Sequence, residues 1–137
     1  MMRVALTLTL LLSIGSSGAS STDVLDFVSA MAGDLSNNDL KEFLQRVDPA
    51  MPGYSIFKED LETLLSAKDV ESEIEVIADQ GDERDREVEL DWVLITRDKE
   101  VINGRQLTQR VRVKCSLKRE RRKWKLSAFA PIRLFKL

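Results

Sequence analysis

VELDWVLITRDKEVINGRQLTQRVRVKCSL, running from Val88 to Leu117, decides the fold. Before its central turn signal the apolar residues fall on even positions: Val88, Leu90, Trp92 and Leu94. After it they fall on odd positions: Leu107, Val111, Val113, Cys115 and Leu117. A period of two marks a strand with one covered face. Asn103-Gly104 between the two runs is a strong short hairpin signal, because both residues accept the positive φ that a tight primed turn requires. A turn at this dipeptide sets Trp92 opposite Cys115 and Leu94 opposite Val113. The apolar residues of both strands then share one face.

The same pattern extends outward on both sides. A strand over 69–79 carries Val70, Ser72, Ile74, Val76 and Ala78 on one face, and a loop at Gln80–Arg84 joins it to the strand over 85–97. The strand over 106–118 is followed by a loop at Arg119–Arg122. A last strand starts near Lys123 with Trp124, Leu126 and Ala128 inward, and Pro131 marks a bulge or edge after it. A slip of one residue would turn a whole apolar set to water, so agreement of face in all three hairpins predicts a four-stranded antiparallel meander.

Helical spacing precedes the strands. Val24, Val28, Met31, Ala32 and Leu35 form a first stripe, capped by Thr22 and broken at Gly33-Asp34. Ser36 caps a second helix, with Asp39 three residues on and Leu40, Phe43, Leu44 and Val47 on one face. Pro49 ends it. After the Pro52-Gly53 turn, Ser55 caps a third helix with Phe57, Leu61, Leu64 and Leu65. Helices followed by a sheet make the expected class α+β.

Met1 to Ala19 reads as a signal peptide. Arg3 precedes an apolar run from Val4 to Leu12, and Ser17-Gly18-Ala19 offers small residues for cleavage after Ala19. The run is shorter than the roughly 20 residues a membrane span needs. The expected organisation is a leader over 1–19 and one domain over 20–137, exported to a periplasm or secreted, with no stable membrane span.

Composition excludes several chemistries. The 137 residues include no histidine, which removes Ser-His-Asp and Cys-His nucleophilic sites and histidine-based zinc sites. One cysteine, Cys115, makes neither a disulfide framework nor a CxxC site. Twenty-one basic residues against 23 acidic ones argue against bulk nucleic-acid binding. No metal and no cofactor is expected.

Helices first and four long strands after them, carried by DFVSAMAGDLSNNDLKEFL, PGYSIFKEDLETLL, VELDWVL and KWKLSAFAPI, resemble the nuclear transport factor 2-like (polyketide cyclase-like) superfamily over about Asp23 to Phe135. The resemblance implies a bent sheet wrapped round a long helix into a cone. Its members include isomerases, dehydratases, cyclases, epoxide hydrolases and non-catalytic binding or assembly modules, so fold alone does not assign activity. Enzymes in it that resemble ketosteroid isomerase place carboxylates, tyrosines or histidines inside the cone. Here the central inward strand positions are apolar, apart from Ser72, Thr96 and Gln109.

Candidate cone-lining residues are Tyr54, Trp92, Cys115 and Trp124. Each has a plainer role: Tyr54 packed under the Pro52-Gly53 turn, the tryptophans as core, Cys115 as an inert buried thiol. Asp48, Glu59 and Asp60 on the helices could reach the mouth, or could be solvated surface.

The outer face of the sheet is two-toned. Glu71, Glu73 and Glu75, then Glu87, Glu89 and Asp91, form an acidic half. Arg110, Arg112 and Lys114, then Lys123 and Lys125, form a basic half, with Val93 and Ile95 near the junction. The predicted register sets Glu73 opposite Asp91 and Glu75 opposite Glu89, and like charges directly opposite destabilise a sheet. The basic half, or a second copy related by a two-fold axis, would offset this. The interface candidates are Glu73, Glu89, Asp91, Val93, Ile95, Arg110, Arg112 and Lys114. KRERRKWK, over 118–125, is a basic tip suited to anions or to solvent. The sequence thus predicts a non-catalytic exported binding or assembly module that is a homodimer through the outer face, with room for a small apolar ligand in the cone. The alternative is an isomerase- or cyclase-type enzyme using Tyr54 and a helix-borne carboxylate.

Overall fold

The computed structural model describes residues 22–99 and 104–137. Helix α1 covers residues 22–36, α2 Leu40–Gln45 and α3 Tyr54–Ala67. The strands are β1 Lys68–Gly81, β2 Asp85–Asp98, β3 Gln106–Glu120 and β4 Lys123–Ala130. They form one antiparallel sheet in the order β1-β2-β3-β4, the meander predicted by alternation. The leader and Asn103 lie outside the described residues.

The helices follow their stripes, but α2 and α3 do not take the expected caps. Val24, Phe27, Val28, Met31 and Leu35 are all buried on α1. The break expected at Gly33-Asp34 does not occur, and α1 continues to residue 36. Glycine inside a helix costs about 1 kcal/mol. Burial of Leu35 and the ion pair of Asp34 with Arg46 at 2.7 Å offset that cost. The cap of α2 is Asp39, whose carboxylate accepts from the Glu42 backbone N–H at 3.1 Å, and not Ser36, which still belongs to α1. The cap of α3 is Gly53 at φ 78°, and Ser55 lies inside that helix. A side chain at position 53 would meet Ile132 Cγ1 at 2.8 Å, so the close approach of the C-terminal turn requires glycine as much as the φ does.

The sheet keeps the predicted faces as far as two bulges, in β1 and β4, while its registers differ. Trp92 faces Val111, Leu94 faces Gln109, and Cys115 faces Val88. The last β2–β3 pair among the described residues is Arg97 with Gln106. Glu73 faces Val93, and Glu75 faces Asp91 rather than Glu89. The first loop is Asp82–Arg84, entered through Gly81 at φ 137°. A Cβ there would lie 2.2 Å from the Asp85 carbonyl oxygen. The last turn is Arg121-Arg122, two residues rather than four, with Arg121 at φ 63°.

A bulge between Val76 and Ala78 reverses the faces of β1 beyond it. Ala78 therefore points outward with Glu89, and Asp79 takes the inward place beside Val88. An extra residue of this kind bends and twists the strand that carries it. A second bulge, at Ser127, reverses the face of β4 in the same way: Ala128, expected inward, pairs with the outward Ser116, and Phe129 takes the inward place opposite Cys115. After a cis Ala130–Pro131 bond the chain turns back, and Leu134 and Phe135 enter the interior.

Candidate functional site

The concave side of the sheet is packed with rings. Trp92, Phe43, Phe57 and Phe135 are fully buried, and Phe129 nearly so. Phe57 and Phe129 lie 5.1 Å apart between centroids, and Trp92 meets Phe135 edge-on at 5.6 Å. These are the separations at which ring quadrupoles attract. The Trp92 indole N–H donates to Ser72 Oγ at 3.1 Å, so a polar inward residue found by alternation serves the core. Phe135 comes from the C-terminal turn and touches Phe43, Phe57, Trp92 and Phe129.

The four candidate cone residues are spread through the molecule. Trp92 is enclosed in this cluster. Tyr54, half-buried at the start of α3, packs against the core beside the Pro52-Gly53 turn. Cys115 is buried, and burial pushes its thiol up to about 12, with Glu87 adding to the effect. Trp124 lies near the β3–β4 turn under the Arg119 guanidinium, 4.4 Å from ring centroid to the cation.

Of the three carboxylates expected near the mouth, Glu59 is exposed on α3, Asp48 lies in the segment after α2, and Asp48 and Asp60 are engaged. Asp60 is buried and accepts two hydrogen bonds from Arg133, at 2.9 and 3.2 Å, which pin the C-terminal turn to α3. Asp48 pairs with Lys118 at 2.5 Å and accepts from the Ala50 backbone N–H at 2.9 Å, and these contacts hold its carboxyl below the usual range. A general base needs a free carboxylate of matched basicity in reach of substrate. Asp48 and Asp60 do not fit that role. Among the described residues no cluster of three metal-ligating side chains occurs.

Two ionisable inward residues escape the reading of the sequence. Arg86 and Asp79 form an ion pair at 2.5 Å with side chains only 5% and 6% exposed, and Arg86 also donates to the Asp82 carbonyl at 3.0 Å. Arg86 has the even parity of Val88 and Leu90, and that signal was available. Asp79 has the wrong parity until the bulge is known.

Open space lies elsewhere. A cleft of about 310 Å³ at the cone mouth is lined by Leu64, Leu94, Thr96, Leu107, Gln109 and Leu137 among others. Leu107 and Leu137 are more than half exposed on it. A groove of about 540 Å³ runs between α2 and β4.

The outer face carries the charge pattern expected. Arg112 donates to Glu89 at 3.0 Å and Arg110 stands 3.8 Å from Asp91, so the basic strand offsets the acids of β2 directly. Glu71, Glu73 and Glu75 on β1 are exposed and have no ion pair among the described residues. Val93 and Ile95 lie half-buried between the two halves.

Solved structures with this arrangement are plentiful. A conserved protein from Planctomyces limnophilus superposes with a TM-score of 0.73 at 10% identity, covering 82% of this chain and 94% of its own. A dehydratase, provisionally so named, of the nuclear transport factor 2-like family from Streptomyces avermitilis gives 0.68 at 12% identity over 82% and 94%. This chain has the nuclear transport factor 2-like fold. A provisionally named scytalone dehydratase from Novosphingobium aromaticivorans has the same fold, with a TM-score of 0.70 at 10% identity over 85% of each chain. No family model matches the sequence, and no curated protein matches it. At these identities the likeness concerns the nuclear transport factor 2-like fold and not the chemistry performed on it.

Proposed function

We propose that this nuclear transport factor 2-like chain is an exported, non-catalytic module that works by association, joining a second copy of itself through the outer face of its sheet. The observation that carries this reading is the filled cone. In its interior this chain brings Trp92, Phe57, Phe129 and Phe135 into contact, with Asp48 and Asp60 held in ion pairs.

The outer face supplies what an isologous contact needs. A two-fold axis lying along the sheet sets the acidic strands of one copy over the basic strands of the other, with Val93 and Ile95 near the centre. Glu71, Glu73 and Glu75, which lack partners in the described chain, would find them in the second copy. Steering by such charge complementarity weakens as salt rises. Export follows from the leader over 1–19. Among the described residues no helix is long and apolar enough to cross a membrane.

Sedimentation of the domain tests this. A dimer that dissociates on triple reversal of Arg110, Arg112 and Lys114 to glutamate, with unchanged circular dichroism, is expected. A monomer at every concentration, or a dimer indifferent to the reversal, refutes it.

The exposure of Leu107 and Leu137 on the mouth cleft favours a second reading, a small apolar ligand seated there. Its volume lies at the low end of ligand sites, roughly 300–1,000 Å³. An apolar fluorescent dye displaced by Leu107→Arg would support that reading, and a dye that never binds would remove it.

A further inference from the structure

The basic tip of the sheet sits on an unfinished edge. Segment 46–48 lies along β4 as a short parallel bridge. The Leu126 N–H donates to the Arg46 carbonyl at 2.8 Å, and the Asp48 N–H donates to the Leu126 carbonyl at 2.9 Å. Leu126 thus directs both backbone groups away from β3. Alternation along an antiparallel ladder makes Trp124, two residues earlier, direct its N–H and C=O to the same side. The pairing of Glu120 with Lys123 around a two-residue turn fits this phase, as does the Arg119 N–H, which turns away from Trp124 to the Arg84 carbonyl at 2.8 Å. Among the described residues neither backbone group of Trp124 has a partner outside the sheet.

Trp124 is also short of an acceptor at its side chain. The residue is 8% exposed, and its indole N–H has no acceptor, nor has Nε of Arg119 stacked on the ring. A buried donor left unmade costs about 1–3 kcal/mol. Two adjoining recesses share Trp124, Phe27 and Arg46. One is the 540 Å³ groove along α2, with Leu44, Val47 and Pro49 as its apolar lining. The other, about 300 Å³, is lined by Asp23 and Asp26 as well as by Arg119 and Arg122, and Arg119 is already paired with Asp23 at 3.2 Å. Arg121, Arg122 and Lys123 beside them are exposed and make no ion pair among the described residues.

We propose that this groove receives an extended acidic peptide from a protein partner, which continues the short parallel strand begun by 46–48 along the β4 edge at Trp124. Strand addition uses main-chain hydrogen bonds for affinity and alternate side-chain sites for selection. Apolar residues of the peptide face Phe27, Leu44 and Val47, and its carboxylates face the exposed Arg122 and Lys123, away from Asp23 and Asp26. The chain's own residues 1–21 contain no Asp or Glu, so charge selects against them as the occupant. This surface is separate from the outer sheet face, and either can fail without the other.

The test uses the domain labelled with nitrogen-15, a short synthetic peptide of alternating valine and aspartate, and a control peptide with lysine for aspartate. Titration with the acidic peptide is expected to move both the indole and the backbone N–H signals of Trp124 and slow exchange of that backbone N–H, with the Trp92 indole unmoved. Joint reversal by Arg122→Glu and Lys123→Glu, both exposed positions, should weaken binding roughly tenfold. The proposal is overturned by absence of any shift, by equal shifts with the lysine peptide, or by inorganic phosphate alone reproducing both shifts. Movement of the Trp124 signals on self-association without peptide would assign the groove to a second copy and overturn the partner assignment.

Discussion

Phe135 enters the interior from the last turn of the chain and is held there by four rings and by Arg133 on Asp60. Truncation to alanine removes the ring and leaves a cavity, so Phe135→Ala should destabilise the domain by about 3–5 kcal/mol in chemical denaturation. The enclosed Cys115 should resist alkylation in the native state and react on unfolding. Its thiol is pushed from 9.0 to about 12, so the folded form disfavours the thiolate while the unfolded form does not. Stability from this group is complete below pH 9.0 and is lost as pH rises towards 12. Cys115→Ser should flatten that alkaline limb in a pH series of melting temperatures. At this scale the sequence was legible wherever alternation was unbroken: Trp92, Cys115, Leu117 and even Arg86 follow their parity inward. Asp79 was not, because the bulge at Ile77 changes the rule without a local sequence signal. Phe135 was not, because it belongs to no periodic segment.

The elements were legible in kind and less so in join. Each strand lies within a few residues of its predicted span, since period-two alternation fixes type and face. Register did not follow, because a slide of any even number of residues preserves every face. Parity therefore agrees equally with Trp92 opposite Cys115 and Trp92 opposite Val111. The choice between them is made by loop length and by contacts with α3 and the C-terminal turn, which a pairwise strand argument omits. Gly33 shows the opposite error, a residue read as a break that the helix absorbs. No atom lies within 4 Å of a side chain built there, so Gly33→Ala should raise stability by about 0.5–1 kcal/mol. The junction of the helical layer with the sheet rests partly on Asp48 and Lys118. The carboxyl of Asp48 is lowered, chiefly by its bond to Lys118, so its contribution is present above pH 3.8 and is lost as pH falls further. Asp48→Asn should remove that part of the acid limb while leaving the alkaline limb unchanged.

At the scale of the whole molecule, the chain shares its fold with proteins provisionally named as dehydratases. The concave side of the sheet is packed with the chain's own rings. The surface, by contrast, is sorted by charge on the outer face and left unfinished along β4. The fold class was readable from the sequence. Whether the cone is filled was not, because that depends on where a seven-residue tail after Ala130 turns, and no alternation reports it. The most direct measurement is native mass spectrometry of the protein recovered from cells expressing residues 1–137, with no prior selection for a cleaved or exported form. The account predicts a chain cleaved after Ala19, present as a dimer and carrying no small molecule inside. An uncleaved monomer, or a chain holding a stoichiometric small ligand that competes with the packing of Phe135, would contradict it.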